Sequence, residues 1–215
     1  MRENQVERKR RFHLSSPTEQ PPRPGLRERK RAKTRAAIQD EALRLFREQG
    51  YDATTVEQIC EAAEVSESTF YRYFPTKPDV VLRDEFDPLI IAAFNAQPAE
   101  LSSLRALREA FKEVFGQMSP AQEAEQLQRT RLALAVPELR AAMIDQFSQA
   151  IQLIADGVAA RSGQPESDSA VRTLAGAVVG VAMAVMLAIT NDKDADFAPL
   201  IDEALAHLET GLASI

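Results

Sequence analysis

From Leu26 onward the apolar residues recur at helical spacing, and no stretch shows the sustained period-two alternation of a half-buried strand. That single property confines the chain to an all-α fold. Ser119-Pro120, Val136-Pro137 and Gly163-Gln164-Pro165 punctuate the pattern at three places where a helix must stop or start. About nine helices follow: roughly 27–49, 54–63, 66–74, 76–97, 102–118, 120–135, 137–161, 166–190 and 195–213. Ile38, Ala42 and Phe46, with Leu43 and Leu45 beside them, form the apolar face of the first, and Gly50 stands as its stop. No internal repeat appears.

The segment from Thr54 to Phe74 carries the strongest functional pattern. Thr54-Thr55-Val56-Glu57 reads as a capping box with Thr54 as N-cap, followed by Val56, Ile59, Cys60 and Ala63 at amphipathic spacing. After a tight turn Ser66 can cap a third helix that Pro75 ends. Two short helices joined tightly behind a longer one have the layout of a helix-turn-helix. If Phe70, Tyr73 and Phe74 pack inward, Ser68, Thr69, Tyr71 and Arg72 face out, offering groups that bond phosphates and base edges. Arg27 to Arg35 holds six basic residues and one acid, a run at the positive end of a helix dipole whose cost phosphate would offset. Lys33 and Thr34 in it are further candidate DNA contacts. Thr76 is expected to cap a fourth helix, with Pro78 early in it.

This ordered set resembles the signature of the tetracycline-repressor (TetR) family over about residues 30 to 82: Thr54-Thr55-Val56, Cys60 to Ala63, Val65-Ser66, Ser68 to Phe74 and Lys77. The stretch from Thr69 to Pro75 with Lys77, then Asp84-Glu85-Phe86-Asp87-Pro88, is similar to actinobacterial members that include mycofactocin-system regulators. The resemblance implies that residues 26–75 bind DNA and that 76–215 sense a ligand and dimerise. It implies that Thr54 and Thr55 hold phosphate, that Tyr71 and Lys77 clamp the backbone, and that Ser68, Thr69, Arg72 and Tyr73 face the groove, with Ser66 beside them and Arg72 reading guanine. Glu64 departs from it, occupying a turn position where the family often has Gly.

About 130 further residues exceed what the DNA module needs to fold. The helix near 166–190 is rich in small residues, among them Gly176, Gly180 and Ala184, and the last helix carries Leu200, Ile201, Leu205, Leu208 and Leu212. Together they are expected to form a four-helix interface between two copies. Phe86, Ile90, Phe94, Phe111, Phe115 and Met118 are candidates to line an effector pocket, with Met143, Phe147 and Met183; Leu107, Ile144 and Met186 extend the set. Few internal charges accompany them, which favours an apolar or amphipathic effector, lipid-like or acyl-CoA-like. The expected outcome of binding is a regulator, most often a repressor, that occupies a palindromic operator as a homodimer.

Charge divides the chain. Seventeen basic face thirteen acidic residues up to Arg83, and nine face nineteen after it, so only the first part suits a polyanion. Residues 1–25, with Arg8-Lys9-Arg10-Arg11 and four prolines, read as a disordered basic arm. The single cysteine, Cys60, allows no internal disulfide and fits a cytoplasmic setting. His13, His207 and Cys60 have no metal-ligand spacing, and no phosphate-cradling loop or nucleophile–base pair is placed, so no enzyme, metal or cofactor is expected. The apolar run Leu174 to Ile189 has 16 residues, roughly 24 Å of helix against about 30 Å of bilayer core, so no membrane span is expected. The rival reading is a helical adaptor or membrane-surface protein that uses its basic tail without reading a groove.

Overall fold

Helix signals in the sequence map onto ten helical segments in the computed structural model, which describes residues 25–83, 86–192 and 195–211 apart from the side chain of Glu28. Residues 1–24 with the Arg8–Arg11 cluster and His13, the acidic pair Asp84-Glu85, and Leu212 lie outside the described residues. Among those described, no strand occurs.

The segments are α1 (Leu26–Gln49), α2 (Val56–Ala62), α3 (Glu67–Tyr73), α4 (Asp79–Leu82), α5 (Phe86–Ala96), α6 (Ser103–Phe115), α7 (Pro120–Ala135), α8 (Pro137–Ser162), α9 (Ser169–Asn191) and α10 (Phe197–Thr210). Side-chain caps start most of them. Ser119 and Gln122 form a reciprocal capping box at α7, where Pro120 fills the first turn, and Asp168 accepts from Ala170 and Val171 at α9. Gly163 ends α8 in the left-handed region at φ 69°, a conformation glycine adopts without a Cβ penalty.

The expected fourth helix, 76 to 97, is divided. Thr76 does not cap it: its N–H and hydroxyl both donate to the Asp79 carboxylate, and Pro78 takes the N-cap position instead. After one turn the chain extends at Arg83 (φ −78°, ψ 112°) before α5 begins. Nine expected helices thus appear as ten segments.

Two apolar cores organise the packing. In the first, Ile38, Ala42 and Phe46 of α1 meet Ile59 and Cys60 of α2, Phe70 and Phe74, and Val80 and Val81 of α4. Ala133 of α7 with Leu139 and Met143 of α8 close the same cluster, so the N-terminal helices share a core with the body. The second core joins α5, α6, α8, α9 and α10 through Phe94, Leu107, Phe111, Val178, Ile201 and Leu205. Gly157 lets α8 approach α5 closely; a Cβ there would stand 3.3 Å from the Phe94 ring.

By length and composition α9 could cross a membrane, the one such helix among the described residues. Here Val171, Ala175, Val178, Val185 and Ile189 give it a buried side. The opposite side carries Gly180, Met183, Ala184 and Leu187, all exposed, with Met183 at 41% and Leu187 at 44%.

Arg108 of α6 ties the last helix down. Its Nε and Nη2 donate to both Asp202 carboxylate oxygens at 2.6 and 3.0 Å, and Nη1 reaches Glu209 at 3.2 Å. The hydrogen bonds from Arg108 hold the Asp202 carboxyl below its ordinary value of 3.8. A depressed folded-state pKa stabilises the fold above that value, and the contribution disappears as the pH falls through the lowered pKa. Asp202→Asn should therefore cost about 1 kcal/mol near neutrality. In urea melts the gap between the variant and the wild type should narrow as the pH falls below 3.8 and close once it lies below the lowered pKa.

Candidate nucleic-acid interface and cavity

The third helix is a short platform with one wet face. Phe70 and Phe74 are fully buried beneath it, 5.9 Å apart between ring centroids, and Tyr73 is half-buried against the same core. Ser66 caps the helix by accepting from the Thr69 N–H at 3.2 Å, and its hydroxyl lies 3.0 and 3.1 Å from those of Ser68 and Thr69. Ser68, Tyr71 and Arg72 are exposed, and Thr69 is half-buried. Tyr71 and Phe70 meet in a T-shaped arrangement, 5.3 Å between centroids, and Tyr71 is 48% exposed. Arg72 lies over the Tyr73 ring at 5.3 Å. Helical spacing therefore brings together hydroxyl, phenol and guanidinium on one surface, as the sequence indicated.

The start of the second helix differs from expectation. Thr55, not Thr54, is the N-cap: its hydroxyl accepts from Gln58 N–H, and the Gln58 side chain accepts from Thr55 N–H, so the box closes on Gln58 rather than Glu57. Thr54 is 1% exposed. Its hydroxyl donates to Gly50 O at 2.8 Å and accepts from Gln49 Nε2 at 3.1 Å, which commits it to the α1–α2 corner rather than to phosphate. Thr55 is exposed at the start of the helix.

Lys77 is also drawn inward. Its Nζ donates to Tyr51 O at 2.6 Å and lies 4.0 Å from the Tyr51 ring centroid. Burial lowers its pKa, against the opposing pull of Glu138 and Asp52. A lysine held this way braces the end of α1 and has less reach as a backbone clamp. Tyr51 itself was not singled out from sequence. Its hydroxyl is buried, and burial followed by the charge of Glu138 raises its pKa far above the ordinary range.

In the basic lead-in Lys33 is exposed, Thr34 donates to Lys30 O at 3.0 Å, and Arg35 lies over the Phe74 ring at 5.6 Å. The α2–α3 turn passes through Glu64 at φ 53°, the only non-glycine positive φ among the described residues. No hydrogen bond of the turn requires a glycine: Glu64 N–H reaches Glu61 O and Val65 N–H reaches Cys60 O.

Behind the N-terminal helices lies a cavity of about 660 Å³, within the usual size for small-molecule sites. Phe86, Ile90, Phe111, Phe115, Met118, Met143, Phe147 and Met186, all candidates from the sequence, line it. Phe94 and Met183 do not. Phe94 is fully buried in the second core, under Gly157 and the Arg161 guanidinium at 5.4 Å. Met183 is one residue past Ala182, which does line the cavity, and 100° further round α9 it faces out. Leu107 is plain core and Ile144 is 66% exposed. Sequence reasoning missed the α7 wall, Gln126, Arg129, Thr130 and Ala133, because a polar stretch such as Gln126 to Arg131 has no apolar stripe to mark an inner face.

Comparison with known proteins gives a consistent picture. Residues 38–83 match the family model for bacterial regulatory proteins of the tetR family, and residues 101–213, more than half of the chain, match that for the MftR C-terminal domain. The chain is similar to the HTH-type transcriptional regulator TcmR of Streptomyces glaucescens, 37% identical over 65% of this chain and 65% of that protein's length. It is 27% identical to the mycofactocin biosynthesis transcriptional regulator MftR of Mycobacterium tuberculosis, over 86% of this chain and 93% of the relative. A TetR-family regulator from Streptomyces coelicolor has the same fold, with a TM-score of 0.53 at 23% identity over 87% of this chain and 96% of its own.

Relieving the strain at Glu64 provides a test of the turn. Glu64→Gly removes roughly 1 kcal/mol of left-handed strain and loses part of that to the freer unfolded chain, about 0.4–1 kcal/mol. The variant should be a few tenths of a kcal/mol more stable, and Glu64→Val less stable by more than 1 kcal/mol, read from urea midpoints.

Proposed function

The chain belongs to the TetR family of bacterial regulatory proteins, and from that premise we propose that it is a ligand-responsive transcriptional regulator, a repressor that binds a palindromic operator as a homodimer. The observation that carries this reading is the exposed face of α3, with Ser68, Tyr71 and Arg72 presented above fully buried Phe70 and Phe74. Residues 26–75 form the DNA-binding unit, and 76–215 sense and dimerise. Lys33, Thr55 and Tyr71 grip phosphate, and Arg72 reads base edges in the major groove, helped by Ser68 and Thr69. Thr54 and Lys77 support these groups from inside.

Dimerisation runs through α9 and α10. Fewer than a third of the residues in the most apolar stretch of α9, 28%, are buried, and the exposed Gly180, Met183, Ala184 and Leu187 permit the close approach of a second copy. The cavity takes an apolar or amphipathic effector, whose preference for one separation of the two α3 helices shifts the dimer toward or away from the operator. The cytoplasm, where the DNA is, is the place for such a protein.

Gel shifts on the DNA upstream of its own gene, with salt titration and competitor, provide the test. Tyr71→Phe should weaken binding to all sequences about fivefold, the loss of one hydrogen bond of about 1 kcal/mol. Lys33→Ala should flatten the salt slope by about one. Arg72→Ala should relax discrimination at particular base pairs by about 1–3 kcal/mol. Equal, steeply salt-sensitive retention of any DNA would instead favour a basic adaptor. Sedimentation should give twice the 23.8 kDa chain mass, and Met183→Glu with Leu187→Glu should return it to 23.8 kDa. A wild-type monomer would remove the dimer from this reading.

A further inference from the structure

A carboxylate stands on the helix that reads DNA. Glu67 is the only acid among the seven residues of α3, and it is exposed. It lies one helical turn before Tyr71, so the two side chains share a strip of the helix surface. Ser68 and Arg72 form a second strip beside it by the same spacing. Among the described residues, neither a hydrogen bond nor an ion pair engages the Glu67 carboxylate.

DNA makes severe demands on such a group. Phosphates on both sides of the groove repel it, and the water it gives up must be replaced by a donor. A carboxylate can only accept. In the major groove guanine presents two acceptors, and thymine an acceptor and a methyl group, so neither suits it. Adenine presents its amine beside the N7 acceptor, whereas cytosine presents its amine alone. Cytosine is therefore the base that best accommodates a carboxylate, and any other leaves it desolvated without a partner. The leading residues of a groove-reading helix are those that meet base edges.

We propose that Glu67 is a specificity-determining residue that accepts a hydrogen bond from the amine of a cytosine, and so requires a C·G pair at one position of each half-site. The proposal rests on α3 being the helix that enters the major groove. Arg72 carries only donors and suits guanine, so α3 holds one side chain for each half of the donor and acceptor pattern. Glu67 acts mainly by exclusion: its charge makes wrong sequences costly instead of making every sequence bind better.

Selection from a randomised double-stranded DNA library with the full chain tests this. The wild type should enrich a site with C·G at one position of each half, and gel shifts should show about tenfold weaker binding when that pair is changed. Glu67→Gln should move the position to A·T, because an amide bonds both N6 and N7 of adenine. Glu67→Ala should leave it unspecified, and the other positions should not change in either variant. Loss of the cytosine preference in Glu67→Gln supports the proposal with or without adenine in its place. One consensus shared by the wild type and both variants overturns the role of Glu67 and leaves the regulator reading standing. Uniform weakening at every site does the same, since it marks a carboxylate that only steadies α3 through the helix dipole. A Glu67-dependent position that is not C·G in the wild type overturns the cytosine assignment. No enrichment of any sequence by the wild type overturns the regulator reading and this proposal with it. Should Glu67→Ala fail to fold, the Glu67→Gln selection decides alone.

Discussion

Burial of two phenylalanines, Phe70 and Phe74, is what the rest of the molecule is arranged around. Both are completely removed from water, and each contributes roughly 1.5–3 kcal/mol by leaving it. A helix of seven residues is too short to persist alone in water, so α3 exists because its inner side is fastened to α1 and α2. The same fastening fixes the outer side, since Ser68, Tyr71 and Arg72 can point only where the buried pair leaves them. The Ser66 cap, the β-region Phe74 before Pro75 and the half-buried Tyr73 hold that orientation from the two ends.

The fold was legible wherever a local rule was strong. Ser66, Ser119 with Gln122, Gly50 and Gly163 are caps and stops written into the chain, and the helices they bound appear within a few residues of their expected places. The cap of α2 moved by one residue because Thr54 and Thr55 are chemically alike. The Gln49 side chain and the Gly50 carbonyl at the end of α1 decide which hydroxyl turns inward. The break at Arg83 was hidden for a related reason. The residues from Asp79 to Ala96 are acceptable helix formers apart from Pro88, and the extended Arg83 is held by Gln39 and Arg129, from positions 44 and 46 residues away.

The site residues follow the same division. The α3 face depends on helical spacing within seven residues, so the sequence carries it. The cavity depends on which side of seven helices turns inward together, and periodicity alone cannot separate the lining Ala182 from the exposed Met183 beside it. Lys77 shows the limit of transferring a role by position. Its place in the motif is the expected one, yet the Tyr51 carbonyl and ring, brought to it by the α1–α2 corner, occupy its ammonium.

The one-turn α4 has a consequence for how this protein tolerates change. Gln39 and Arg129 grip main-chain oxygens, which every amino acid supplies alike. Apart from Val80, Val81 and Leu82, which pack inward, residue identity near the end of α4 is free to drift without disturbing those grips. Chain length is not. One residue gained or lost between Val80 and Arg83 would rotate the carbonyls away from both partners at once. Descendants of this chain can therefore rewrite this segment letter by letter, but they cannot re-space it.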